Sequence, residues 1–239
     1  MNIKVFVHAT DITGDINITL EQIKLLKTSG LLDESQVVLC SHYNEDNYRD
    51  LIQYLSYHNK THKFRHFDKT HKEWYEYTTC LELQKECNQS TEEFYALYLH
   101  NKGSYTQTVG NYNWRKYMEY FCVEKWKECV EKLDEGYELV GAAYLDNAQE
   151  DENAHYFAGN FFWARSSYIK RCQQLKTPPE VDFQPQMPNQ PHLRYDLEPW
   201  HASGKPKWFE MHSGPHQRWY SSPESYRSDL RDKWVYRTN

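Results

Sequence analysis

Apolar positions along the chain recur with a period near two in some blocks and near four in others, and the changes of period divide it into strands and helices. "IKVFVHAT" (3–10) is a compact apolar run ending in small and polar residues, the pattern of a buried strand that delivers a loop at its carboxyl end. In "LEQIKLLKTSGLL" Leu20, Ile23, Leu26 and Leu31 fall near one helical face, and Gly30 is placed to stop the helix. "QVVLC" (36–40) reads as a strand, "EDNYRDLIQYLSYH" as a helix and "KFRHF" (63–67) as a third strand. This succession predicts an α/β fold with a mostly parallel central sheet flanked by helices.

The pattern continues with a helix over "YEYTTCLELQKECNQ" (75–89) and the strand "FYALYLH" (94–100), punctuated by "NKGS". A long helix is expected next, because Trp114, Met118, Cys122, Trp126, Cys129 and Leu133 share one apolar face before Gly136 closes it. "YELVGAAYL" (137–145) reads as one buried strand, and the acidic "DNAQEDENA" (146–154) as an exposed loop. "HYFAGNFFWARSSYIKR" (155–171) then sets Gly159 and Asn160 inside a run of rings. Glycine weakens a strand interior unless something must approach the backbone there, and a ligand is the expected visitor. All nine prolines lie between 178 and 223, so structure beyond residue 176 should be short and interrupted. Its Trp, Tyr and Phe content argues for an arm that finishes a site wall.

Charge and composition narrow the function. With 28 Lys+Arg against 34 Asp+Glu, net −6, nothing global attracts nucleic acid, so any phosphate site must be local. The 20 Tyr and 8 Trp suit sugar-stacking surfaces, although most single rings should be core. Six cysteines without a CxxC pair or zinc-like spacing read as reduced, buried thiols. No segment resembles a signal peptide or a membrane span, which points to the cytoplasm. The glycine motifs of dinucleotide-binding and P-loop proteins are missing, as is the Gly-x-Ser-x-Gly elbow.

In open α/β sheets ligands bind beyond the carboxyl ends of the strands. His8, Ala9 and Thr10 are so placed after the first strand, His100, Asn101 and Lys102 after the fourth, and Asp146 and Asn147 after the fifth. Lys102 followed by Gly103 suits a phosphate, since glycine lets backbone amides approach and lysine supplies a point charge.

"LLKTSGLLDESQVVLC", "YEYTTCLELQKEC", "LYLHNKGS", "NWRKYMEYFCVEKWKECVEKL" and "HYFAGNFFWARSSYIKR" resemble, in that order, the blocks of a family of small glycosyltransferases of bacteria and large DNA viruses. The resemblance covers roughly residues 1–200. It implies a single glycosyltransferase A-type (GT-A) domain over 1–239, with a nucleotide-sugar half (1–110), a helix and sugar half (111–175) and a completing arm (176–239). It implies transfer from a nucleoside-diphosphate sugar, UDP favoured, to a glycan hydroxyl by inverting displacement, in the cytoplasm of a bacterium or a virus-infected cell. Where many enzymes of that fold carry Asp-x-Asp, this chain reads His100-Asn101-Lys102. Positive charge from Lys102 and Arg115 would then face the pyrophosphate, or a divalent cation (Mn or Mg) would be held by Asp146 or His212. The sugar pocket would draw on Asp146, Asn147, His155, Gly159, Asn160, Phe162, Trp163 and Trp200. Glu198 in "RYDLEPWH" is the expected base, with Asp196 the neighbouring alternative. A noncatalytic carbohydrate-binding or assembly protein is the second reading. A sugar-phosphate nucleotidyltransferase is the third, poorly served by "HATDITGDIN".

Overall fold

A computed structural model of the chain describes residues 2–9, 16–41, 48–59, 61–66, 76–104, 106–146, 155–176, 197–212, 226 and 237–238. The strands are β1 (Asn2–Ala9), β2 (Ser35–Ser41), β3 (Lys63–His66), β4 (Phe94–His100), β5 (Leu139–Gly141), β6 (Tyr144–Asp146), β7 (His155–Phe157), β8 (Phe162–Arg165), β9 (Trp208–Glu210) and β10 (Arg237–Thr238). The helices are α1 (Asn17–Thr28), α2 (Leu31–Glu34), α3 (Arg49–His58), α4 (Tyr77–Gln89), α5 (Val109–Glu119), α6 (Trp126–Asp134) and α7 (Ser166–Ile169).

Eight strands form one sheet in the order β10-β9-β5-β8-β4-β1-β2-β3. The pairs β1–β2, β1–β4, β2–β3 and β5–β9 are parallel, while β8 runs against both β4 and β5. The expected α/β fold with a mostly parallel sheet is therefore present. All three stretches of the chain supply strands to this sheet, so the Pro-rich segment past 176 is partly built into it.

Alternation along β4 shows why both faces are apolar. Tyr95, Leu97 and Leu99 join a core under α1, α2, α3, α5 and α6, whereas Phe94, Ala96 and Tyr98 join a second core under α4 and α7. A strand covered on both sides needs an unbroken apolar run, and "FYALYLH" is fully buried along its length.

Two expected elements are interrupted. The long helix is α5, a π-helical turn (Tyr120–Glu124) and α6. Steps of four residues drift by about 40° per step on a regular α-helix, and the wider π turn takes up that drift. Met118, Cys122, Trp126, Cys129 and Leu133 consequently all stay buried. The strand expected over 137–145 splits into β5 and β6, because Ala143 adopts φ 69° and turns the chain out of the main sheet. β6 pairs instead with β7 in a separate two-stranded sheet.

The Gly-Asn pair has a conformational explanation. Gly159 (φ 83°) and Asn160 (φ 60°) form a left-handed turn between β7 and β8, closed by Asn160 N–H donating to the Phe157 carbonyl at 3.1 Å. A Cβ on Gly159 would lie 2.6 Å from Met118 Sδ and 3.1 Å from Trp114 Cε2. The close visitor at this glycine is thus the protein's own α5.

His201 shows how the polar groups of the second core are handled. It lies in the 3-10 turn Pro199–Ala202, fully buried, its ring stacked on Phe162 at 4.5 Å, and its Nε2 accepts the Phe157 N–H at 3.0 Å. Burial pushes its pKa down to about 3, with a smaller upward pull from the Glu198 backbone. The folded value is depressed, so the neutral ring's contribution is whole above the unfolded value of about 6.5 and is lost as pH falls toward 3. Between pH 6.5 and 4.5 each unit should cost up to about 1.4 kcal/mol of stability. Urea titrations across that range should show the slope, and His201→Gln should flatten it.

Candidate functional site

β1 and β4 lie side by side in register, so His8 and His100 are direct neighbours at their carboxyl ends. The chain passes from His100 into a tight turn, with Asn101 N–H donating to the His8 carbonyl at 3.2 Å and Lys102 N–H to the His100 carbonyl at 2.8 Å. Gly103 follows at φ 89°, a conformation that favours glycine. Strand pairing and these turn bonds thereby fix where the Lys102 side chain starts.

Lys102 is almost buried, and its ammonium sits 3.6 Å from the centre of the Trp114 ring. It lines a small cavity together with Glu76, His100, Asn160 and Glu198. Glu76 immediately precedes α4, where its side chain makes no capping hydrogen bond, and its Oε1 lies 3.7 Å from His100 Nε2. The His100 ring packs edge-on against Phe161 at 5.2 Å. Asn160 arrives on the left-handed turn, and its buried Oδ1 accepts no hydrogen bond. An orphaned buried acceptor costs free energy, and a donor entering this cavity would remove that cost. Glu198, half-buried, precedes the 3-10 turn. Burial first, and then the Glu198 carboxylate, push the nearby Tyr156 phenol up.

Four groups named from sequence, His100, Lys102, Asn160 and Glu198, therefore meet at one place although they come from three separate segments. Glu76 was missed as a site residue. It lies within "YEYTTCLELQKEC", but nothing local says that a glutamate at the start of a helix will face β4. The cavity measures about 10 Å³, room for roughly one water.

Lys102 also lines a second cavity of about 320 Å³, bounded by Ile18 at the start of α1 and by Gln107 to Tyr112 around the start of α5, with Arg115 in its wall. Arg115 is not a free charge: Nη1 meets Glu21 at 2.7 Å and Glu119 at 3.4 Å, and Lys116 joins Glu119 at 2.8 Å. Its role toward a pyrophosphate is correspondingly weakened, since two carboxylates already offset it.

Other expected residues stand elsewhere. His8 is buried with Nδ1 2.8 Å from Thr79 Oγ1, and the Ala9 carbonyl accepts from Tyr48. The rings expected to stack on sugar are core instead. Trp163 is fully buried and donates to the Cys122 carbonyl at 2.7 Å. Phe162 is fully buried on the opposite face of the sheet, stacked on Tyr98 at 5.5 Å. Trp200 packs in the second core and donates to the Gln173 carbonyl at 2.8 Å. A ring closed in on both faces has none left for a pyranose. His212, a candidate metal ligand, has Nδ1 2.8 Å from Tyr117 Oη and its ring stacked on Phe121 at 4.9 Å, so the aromatic core places it. Thr10, Asn147 and Asp196, and the side chains of Asp146 and His155, lie outside the described residues. Among the described residues no three His, Cys, Asp or Glu side chains are grouped to hold a metal ion. No described helix is long and apolar enough to cross a membrane.

The chain belongs to a family described as a domain of unknown function (DUF8361), whose match spans residues 3–229. No curated protein matches it.

Proposed function

We propose that this protein is a glycosyltransferase of GT-A type that moves a sugar from a nucleoside diphosphate, UDP favoured, to a hydroxyl of a glycan. The observation that carries this reading is the meeting of Lys102, Asn160 and Glu198 with His100 and Glu76 at the carboxyl edge of the parallel strands. Lys102, Asn160 and Glu198 come from three separate segments of the chain, and each has its own task in one displacement.

The acceptor oxygen bonds to the anomeric carbon while the bond from that carbon to the phosphate oxygen breaks, and its electron pair leaves with the diphosphate. Glu198 takes the acceptor proton, and Lys102 offsets charge on the departing diphosphate. Asn160, through its orphaned Oδ1, accepts from a sugar hydroxyl. A sugar ring needs far more than the present 10 Å³, so the reading requires lining side chains to move apart on binding.

Lys102→Ala should weaken nucleoside diphosphate binding by about 1 to 3 kcal/mol, roughly five- to 140-fold, with no change in the folded state. Isothermal calorimetry on the variant checks this, and unchanged affinity would separate Lys102 from the diphosphate.

The narrow cavity and the buried rings favour one second reading, a noncatalytic protein that binds nucleotide or carbohydrate on the same fold. Release of free nucleoside diphosphate from a panel of nucleotide sugars, with and without manganese, separates the two. Time-dependent release supports the transferase, and binding without release supports the alternative.

A further inference from the structure

The 320 Å³ cavity at the start of α5 has features that a diphosphate site does not need. Val109 is 77% exposed and Tyr112 47% exposed, two of the three exposed large apolar side chains among the described residues, and both line this cavity. They stand one helical turn apart and so share a face. A half-open tyrosine beside an open valine at a cavity mouth loses free energy to water unless something covers it.

The ring is also held in place. The Thr108 hydroxyl caps α5 by accepting the Asn111 N–H at 3.1 Å, Asn111 Nδ2 donates to the Thr106 carbonyl at 2.8 Å, and Tyr112 N–H donates to the Thr108 carbonyl at 3.0 Å. Arg115 and Lys116 lie 5.5 and 5.7 Å from the Tyr112 ring centre and are themselves tied to Glu21 and Glu119. A ring on a capped helix binds with little ordering cost.

We propose that this cavity is the acceptor-sugar subsite, in which one apolar face of a pyranose stacks on Tyr112; the inference rests on the transferase reading above. A pyranose carries CH groups on its faces and hydroxyls at its rim. The cavity matches that division with Tyr112, Val109 and Ile18 for the face, and Gln107 and the Thr108 cap for the rim. Its volume lies at the lower end of small-molecule sites, roughly 300 to 1,000 Å³, which suits one or two sugar units. Lys102 lines both this cavity and the one lined by Glu198, so the two cavities share a wall at this lysine.

The test uses saturation-transfer NMR with the methyl glycosides of glucose, galactose, mannose and rhamnose as probes, together with UDP affinity on the same samples. At least one glycoside should receive saturation on its ring CH protons. Tyr112→Ala should weaken that binding about tenfold, Tyr112→Phe should keep it, and UDP affinity should be equal in all three proteins. UDP binding with no Tyr112-dependent glycoside signal overturns the subsite and leaves the donor reading standing. A loss of UDP affinity in Tyr112→Ala also overturns it, by giving the ring to the nucleobase. A Tyr112-dependent glycoside signal with no binding of any nucleoside diphosphate overturns the donor reading instead, and silence from both sets of probes overturns both.

Discussion

Glu198→Gln is expected to slow sugar transfer by about 10²- to 10⁴-fold while nucleoside diphosphate affinity stays unchanged. The substitution keeps the side chain's size and removes its capacity to take a proton. Glu198 is the proposed base because it lines the same cavity as Lys102 and Asn160. Glu76 shares that cavity, but its Oε1 already faces His100 at 3.7 Å. Two controls rank the carboxylates. Asp196→Asn should retain transfer, and Glu76→Gln should lower it less than Glu198→Gln. Near-full activity in Glu198→Gln with a dead Asp196→Asn would move the base by two residues. Retention of the donor's anomeric configuration would refute inverting displacement.

Gly159→Ala should destabilise the fold by about 2 to 4 kcal/mol. Two causes act together. A non-glycine residue at φ 83° carries a backbone cost of about 1 to 3 kcal/mol. The new Cβ would also lie 2.6 Å from Met118 Sδ, and crowding in a packed core adds a similar amount. Trp114 is the other neighbour and carries Lys102 on its ring, so pressure at Gly159 should reach the proposed phosphate contact. Denaturant unfolding measures the loss, and the companion variant Gly159→Ala with Met118→Ala separates its causes. Room at residue 118 should relieve crowding and leave the backbone cost. Equal stability of Gly159→Ala and the parent protein would contradict the account of this turn.

What could be read from sequence follows physical rules. The apolar run 94–100 is a strand covered on both faces, and all seven of its residues are buried. Gly30 and Gly136 stop helices at positive φ, the conformation that glycine adopts without strain. Ala143 gave no warning, because alanine rarely takes a left-handed turn, and so β5 and β6 read as one strand. Within the candidate site, Lys102 stood out because it follows the end of an apolar strand and precedes a glycine, and Asn160 because it interrupts an aromatic run. Glu76 did not stand out, since its approach to His100 depends on how α4 packs against the sheet. Phe162 and Trp163 were legible as important and illegible as to role. Aromatic composition is the same for a core and a sugar platform, and only the covering of both sheet faces assigns these rings to the core. Tyr112, by contrast, sits in an unremarkable polar stretch, and its exposure emerges only from the cavity beside it.

The central claim is that a nucleotide sugar is bound where β1 and β4 end. Calorimetric titration of the wild-type protein with UDP, and then with the other nucleoside diphosphates, tests it most directly. The account predicts saturable binding of one of them, UDP favoured, weakened about five- to 140-fold by Lys102→Ala and unaffected by Glu198→Gln. No heat from any nucleoside diphosphate at millimolar concentration would contradict it.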